Sequence, residues 1–304
     1  MKTRSLVSVL AIAAASAVAL AGCSSPSAGS SGSGDGTVRV VASTNVYGDI
    51  AEKIGGDAVS VTSLMSDPAQ DPHSFEASAQ NQLAVSKAQV VVENGGGYDD
   101  FMQTLLKGAK NSDATVLNVV DLSGLKATDG ELNEHVWYDF PTVQKFVDAL
   151  TSALAKAEPA HKADFEKNAD AFGKQLAGLE ASAAKVKSEY AGQGVAITEP
   201  VPLYLLDSMG LVNKTPERFS EAIEQENDVS PVVLKETLAI FSGHEVKLLA
   251  YNEQTTGAET ERVLSAAKQA DIPVVPVTET LPAGKHYIDW MQGNIDAIGK
   301  ALSK

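Results

Sequence analysis

Cysteine occurs once in this chain of 304 residues, so an intrachain disulfide is excluded. Histidine is scarce too, at 5 residues, and tryptophan occurs twice. Basic residues are outnumbered, with 24 Lys and Arg against 39 Asp and Glu and a formal net charge of -15. No Lys/Arg cluster with interleaved aromatics is present, which removes nucleic acid from the expected partners, because phosphate binding needs a concentrated basic face. Beyond Leu20 no apolar run approaches the length of a membrane span. The hydrolase signatures H-E-x-x-H and G-x-S-x-G do not occur. Asn94-Gly95-Gly96-Gly97 lacks the G-x-G-x-x-G spacing of a dinucleotide loop and reads as a tight turn.

What is present begins at the amino end. Lys2 and Arg4 precede an apolar run, Leu6 to Leu20, that is too short to cross a bilayer comfortably, so residues 1–22 read as a secretory signal. The run closes on Leu20-Ala21-Gly22-Cys23, which resembles a bacterial lipobox. Cleavage before Cys23 would leave that residue diacylated, with no thiol for a disulfide or for nucleophilic chemistry. Multiple acyl chains hold a protein stably at a bilayer. The expected location is therefore extracytoplasmic, anchored to the bacterial cell membrane through Cys23. Residues 23–36, rich in Gly and Ser, form a flexible tether with almost nothing to bury. Loss of Lys2 and Arg4 moves the formal charge to -17.

From Thr37 the pattern is that of an α/β protein. Val38–Ala42, Val59–Leu64, Gln89–Glu93 and Thr115–Val120 are short β-branched runs, separated by helical stretches at 47–54, 77–86 and 98–109. Such alternation predicts a mainly parallel sheet flanked by helices. Between Pro141 and Tyr190 there is no strand candidate. Glu158-Pro159 divides this region, and the apolar spacing of Phe165, Ala169, Phe172, Leu176, Leu179 and Val186 predicts one long, half-exposed helix. Strand and helix alternate again after Gly192, with strands at 194–198, 246–251 and 272–277 and helices at 230–241, 257–269 and 286–302. The expected organisation is an N-terminal lobe (37–157), a linking helix (158–190) and a C-terminal lobe (191–304).

Two histidines stand in segments that carry carboxylates on both sides: His73 in Asp71-Pro72-His73-Ser74-Phe75-Glu76, and His135 in Asn133-Glu134-His135-Val136-Trp137-Tyr138-Asp139. His161, His244 and His286 sit in turns or at helix starts and read as structural or solvated. Ligands in open α/β sheets gather outside the carboxyl ends of strands. Glu199 and Glu279 follow predicted strands there, and His73 and His135 lie in loops of the first lobe. Two neutral imidazoles and two carboxylates around a divalent cation sum to zero charge, which makes enclosure of the ion affordable.

Three segments in this order, Val41-Ala42-Ser43-Thr44-Asn45, Asp71-Pro72-His73 and His135-Val136-Trp137, resemble the cluster A-I metal-binding lipoproteins of zinc and manganese ABC importers. The resemblance extends from about Val38 to the C-terminal helix. It implies a solute-binding protein rather than an enzyme, acting as a monomer that captures Mn²⁺ or Zn²⁺, with Fe²⁺ a further option, and passes it to an ABC permease. It also implies metal ligands at His73, His135, Glu199 and a carboxylate near the C-terminus. The family usually has Asp at that fourth position; Glu279 stands here, with Asn252 or Glu253 as the alternative. Zinc members often carry a His-rich loop before the second ligand, whereas residues 124–134 are acidic without histidine. That departure, together with glutamate at the third position, points toward manganese. The rival readings are a metal-dependent hydrolase with an open coordination position and a surface adhesin.

Overall fold

The computed structural model describes residues 37–67, 75–127 and 132–304. The signal sequence, Cys23, the tether and His73 lie outside the described residues.

In the first lobe, β1 (Val38–Thr44), α1 (Asn45–Gly55), β2 (Val59–Met65), α2 (Ala79–Lys87), β3 (Val90–Glu93), α3 (Phe101–Ala109) and β4 (Thr115–Asn118) build a four-stranded sheet in the order β2-β1-β3-β4. Every pairing is parallel. β1 and β3 are buried along almost their whole length, as continuous Val-rich runs covered by helices on both faces should be. β4 stops at Asn118, earlier than its β-branched run predicts, because the Asn118 side chain accepts from the Asp121 N–H at 2.9 Å and caps the short α4 (Val119–Ser123).

Two helices then follow in the chain between the two sheets. α5 (Phe140–Ala157) starts where the sequence places it, with Pro141 in its first turn and Asp139 accepting from Thr142 N–H. A 3₁₀ turn at Pro159–His161 separates it from α6 (Lys162–Tyr190). α6 has 29 residues and, at about 1.5 Å per residue, runs roughly 44 Å. It buries Phe165, Phe172, Leu176, Leu179 and Ala183 along one stripe.

The second lobe repeats the first. β5 (Gly194–Ile197), α7 (Leu203–Ser208), β6 (Val212–Asn213), α8 (Glu217–Glu224), α9 (Pro231–Ser242), β7 (Leu249–Asn252), α10 (Ala258–Gln269) and β8 (Val274–Val277) form a parallel sheet in the order β6-β5-β7-β8, the same winding as in the first lobe. α11 (Tyr287–Leu302) closes the chain. α7, α8 and the two-residue β6 were not among the elements expected from the sequence.

Helices cover the sheets in two kinds of layer. α2 and α3 pack on the outer face of the first sheet around Val85, Met102 and Leu105. The helices α8, α9 and α10 do the same for the second sheet around Phe219, Phe241 and Val263. The inner faces share a single apolar core, to which α1, α5, α6, α7 and α11 all contribute. Among the described residues no helix is long and apolar enough to cross a membrane.

Candidate metal centre

Strand order reverses between β1 and β3 in one sheet and between β5 and β7 in the other, and those reversals open crevices at the carboxyl ends of the strands. The second lobe fills its crevice with polar side chains. Glu199 lies two residues beyond β5, Asn252 is the last residue of β7, and Glu279 lies two residues beyond β8. All three are buried. A single amide nitrogen joins them: Asn252 Nδ2 donates to Glu199 Oε2 at 2.6 Å and to Glu279 Oε1 at 2.8 Å. The amide is oriented in turn by the Gln254 N–H, which donates to Asn252 Oδ1 at 3.1 Å. Gln254 Oε1 also accepts from the backbone N–H of Glu279 at 2.6 Å, fixing the turn that carries this carboxylate.

The first lobe contributes His135, at 0 % exposure, from the loop between α4 and a 3₁₀ turn at Val136–Tyr138. Its Nδ1 lies 2.7 Å from Asn133 Oδ1, an atom that only accepts, so Nδ1 carries the proton. Nε2 is thereby turned toward the carboxylates, 3.4 Å from Glu224 Oε1 and 3.9 Å from Glu279 Oε2. Metal-binding imidazoles are oriented in this way, by a hydrogen bond from the nitrogen that does not ligate. Asn133 is itself held across the lobes, because its Nδ2 donates to the Pro200 carbonyl at 3.1 Å and its own carbonyl accepts from Tyr204 Oη at 2.7 Å. Trp137 and Tyr98 wall the imidazole, their ring centroids 5.1 and 5.8 Å away, so the tryptophan serves packing.

The carboxylates are close enough to disturb one another. Burial pushes the Glu199 carboxyl up to about 9, and the nearby Glu224 and Glu279 charges add to the rise, while the Asn252 hydrogen bond opposes it. Glu134, His135 and Glu224 each offer one ligand atom, all within 4.8 Å of one another. An imidazole nitrogen surrounded by glutamates is a donor set for a divalent transition metal.

Of the residues expected at the site, His135, Glu199 and Glu279 come together. Glu253 is exposed, and Asn252 turns its amide nitrogen on Glu199 and Glu279. Glu224 was missed. Its helix reads Glu217-Arg218-Phe219-Ser220-Glu221-Ala222-Ile223-Glu224, in which glutamates at i, i+4 and i+7 share a face beside the buried Phe219 and Ile223. That spacing is visible in the sequence. The tight turn at Asn94 is as expected: Gly95, Gly96 and Gly97 all have positive φ, and the Asp99 carboxylate accepts from the N–H groups of Asn94 and Gly95.

Residues 40–301 match the ZnuA family model, described as zinc-uptake complex component A periplasmic. The chain belongs to that family. Among curated relatives of this ZnuA-family chain, the manganese-binding lipoprotein MntA of Bacillus subtilis is 34% identical over 148 residues, which is 47% of each chain. The corresponding MntA of Halalkalibacterium halodurans is 30% identical over 148 residues, 48% of each chain. The match thus spans about half the length of these two relatives. A putative metal-binding protein of Treponema pallidum matches more widely, at 26% identity over 87% of each chain. The fold agrees with that of the periplasmic zinc-binding protein TroA from Treponema pallidum, at a TM-score of 0.74, 21% identity, and coverage of 88% of this chain and 100% of that one. It also agrees with that of FpvC from Pseudomonas aeruginosa, solved with Mn²⁺, at a TM-score of 0.72 and 21% identity over 88% and 98% of the two chains.

Proposed function

We propose that this ZnuA-family protein captures a divalent transition metal, Mn²⁺ or Zn²⁺, outside the cytoplasmic membrane and hands it to an ABC permease. The observation that carries the reading is the buried meeting of His135 Nε2 with carboxylates, with Glu199 and Glu279 locked together by one amide. Membership in the ZnuA family and the manganese-binding lipoproteins among its relatives support it. His73 supplies the second imidazole, from the Asp-Pro-His segment. Cys23 carries the lipid that keeps the protein at the membrane as a monomer.

Release needs only small movements. The lobes are tied near the site, where Tyr138 Oη donates to the Thr278 carbonyl at 2.8 Å and Tyr287 Oη to the Trp137 carbonyl at 2.7 Å. α6 packs against both lobes. Shear of packed elements by an ångström or so, rather than wide closure about a hinge, is the movement this geometry allows.

Calorimetry on chelator-stripped protein lacking residues 1–23 should give about one Mn²⁺ or Zn²⁺ per chain, as a site of four or so N/O ligands requires. Heat signals near zero for both ions would sink the reading.

A further inference from the structure

We infer that Glu224 is an additional donor to the captured cation and sets the preference among divalent metals; this rests on the metal-capture reading above. The fourfold set implied by family resemblance contains no residue from α8. In this chain the last residue of α8 nevertheless brings Oε1 to 3.4 Å from His135 Nε2, nearer than Glu279 Oε2 at 3.9 Å. Two carboxylates therefore converge on the one imidazole nitrogen that Asn133 leaves facing inward.

The placement of Glu224 goes against local preference. A helix carries partial negative charge at its carboxyl end, where an acidic side chain is unfavourable. Glu224 ends its helix, its side chain is only 10 % exposed, and its charge acts on the buried Glu199. Violations of local preference are expected where a site requires them. A divalent cation beside His135 relieves both conflicts at once.

Glu224 also lines a cavity between residues of both lobes. A cavity of about 380 Å³ is lined from the first lobe by Asn133 and Glu134 and from the second by Pro200, Glu217, Glu221 and Glu224. One carboxylate of this acidic cavity thus lies 3.4 Å from the imidazole.

The chemical consequence is selectivity. Zn²⁺ is satisfied by four donors, and oxygen-rich sites of higher coordination suit Mn²⁺. A third carboxylate, added to Glu199 and Glu279, supplies the oxygen that Mn²⁺ uses and Zn²⁺ does not need. Glu224 therefore narrows the lead that Zn²⁺ holds over Mn²⁺ at nitrogen and oxygen donors generally.

The test compares Mn²⁺ and Zn²⁺ dissociation constants, by competition with a chromophoric chelator, for full-length protein and its Glu224→Gln and Glu221→Gln variants. Glu224→Gln should weaken Mn²⁺ by about tenfold or more, the usual scale for loss of a group that serves a metal, and Zn²⁺ by much less. Glu221→Gln, which removes one charge from the cavity lining, should leave the Mn²⁺/Zn²⁺ ratio unchanged. Equal losses for the two metals in Glu224→Gln, or no loss, would overturn the inference while leaving metal capture intact. Failure of the unaltered protein to bind either ion would instead overturn the parent reading. If Glu224→Gln does not fold, by circular dichroism, the ratio is read in Glu224→Asp, whose shortened carboxylate should move it in the same direction; an unchanged ratio there would overturn the inference.

Discussion

Asn45 and Leu281 exchange two hydrogen bonds: Asn45 Nδ2 donates to the Leu281 carbonyl and the Leu281 N–H donates to Asn45 Oδ1, each at 2.9 Å. Asn45 directly follows β1, and Leu281 comes two residues after Glu279. The switch point of the first lobe thus holds the Glu279 turn of the second.

Asn45→Ala should break both bonds. At ~0.5 to 1.5 kcal/mol for each bond, the loss in unfolding free energy is about 1 to 3 kcal/mol, measurable by urea denaturation. Metal affinity should fall with it, because the Glu279 turn loses its tie to the first lobe. An unchanged affinity would show that Gln254 alone holds the turn.

Asn252→Ala removes the amide that spans Glu199 and Glu279. Outer-shell groups of this kind change metal affinity by roughly 10- to 100-fold, and a loss in that range is expected by chelator competition. A loss below twofold would show that the carboxylates hold their positions without the amide.

His73→Ala and His135→Ala should each lower metal affinity by orders of magnitude with the fold retained, as followed by circular dichroism. Glu199→Gln and Glu279→Gln should show similar losses to each other. The shared Asn252 bond gives the two carboxylates equivalent support, although Asp is the usual family residue at the Glu279 position. A clearly smaller loss for Glu279→Gln would make it a peripheral contact.

Stability of the metal-free protein should fall as pH rises. Glu199 is raised to about 9 when folded, from an ordinary 4.5, chiefly by burial. The unfolded chain gives up this proton first, so the stabilisation present below pH 4.5 is lost as pH climbs through the folded value. Thermal melts of chelator-stripped protein at increasing pH should show that decline, and Glu199→Gln should flatten it. An identical slope in the variant would assign the dependence to other groups.

The parallel sheets and the long helix were legible because they rest on strong local signals. β3 opens on the three consecutive valines 90–92, and Phe165 to Leu179 keep one helical face. Boundaries shifted where capping intervened, as at Asn118. β6 escaped notice because two residues carry no period. At the site, His135, Glu199 and Glu279 were readable from their loop and strand-end positions. Glu224 was not, since strand-end position does not point to a carboxylate that arrives from the end of a helix. The role of Asn252 also required geometry, because an asparagine in sequence does not reveal which end of its amide faces a carboxylate.

The stripe of α6, from Phe165 to Ala183, belongs to the one apolar core that both sheets share. Neither lobe can therefore lose its structure without exposing oily surface on the other. Heating should produce a single calorimetric transition instead of two, with calorimetric and van't Hoff enthalpies in agreement. Stabilisation gained anywhere along that stripe is then inherited by both halves, and cargo bound at the seam protects the entire molecule from proteolysis, not only its own surroundings.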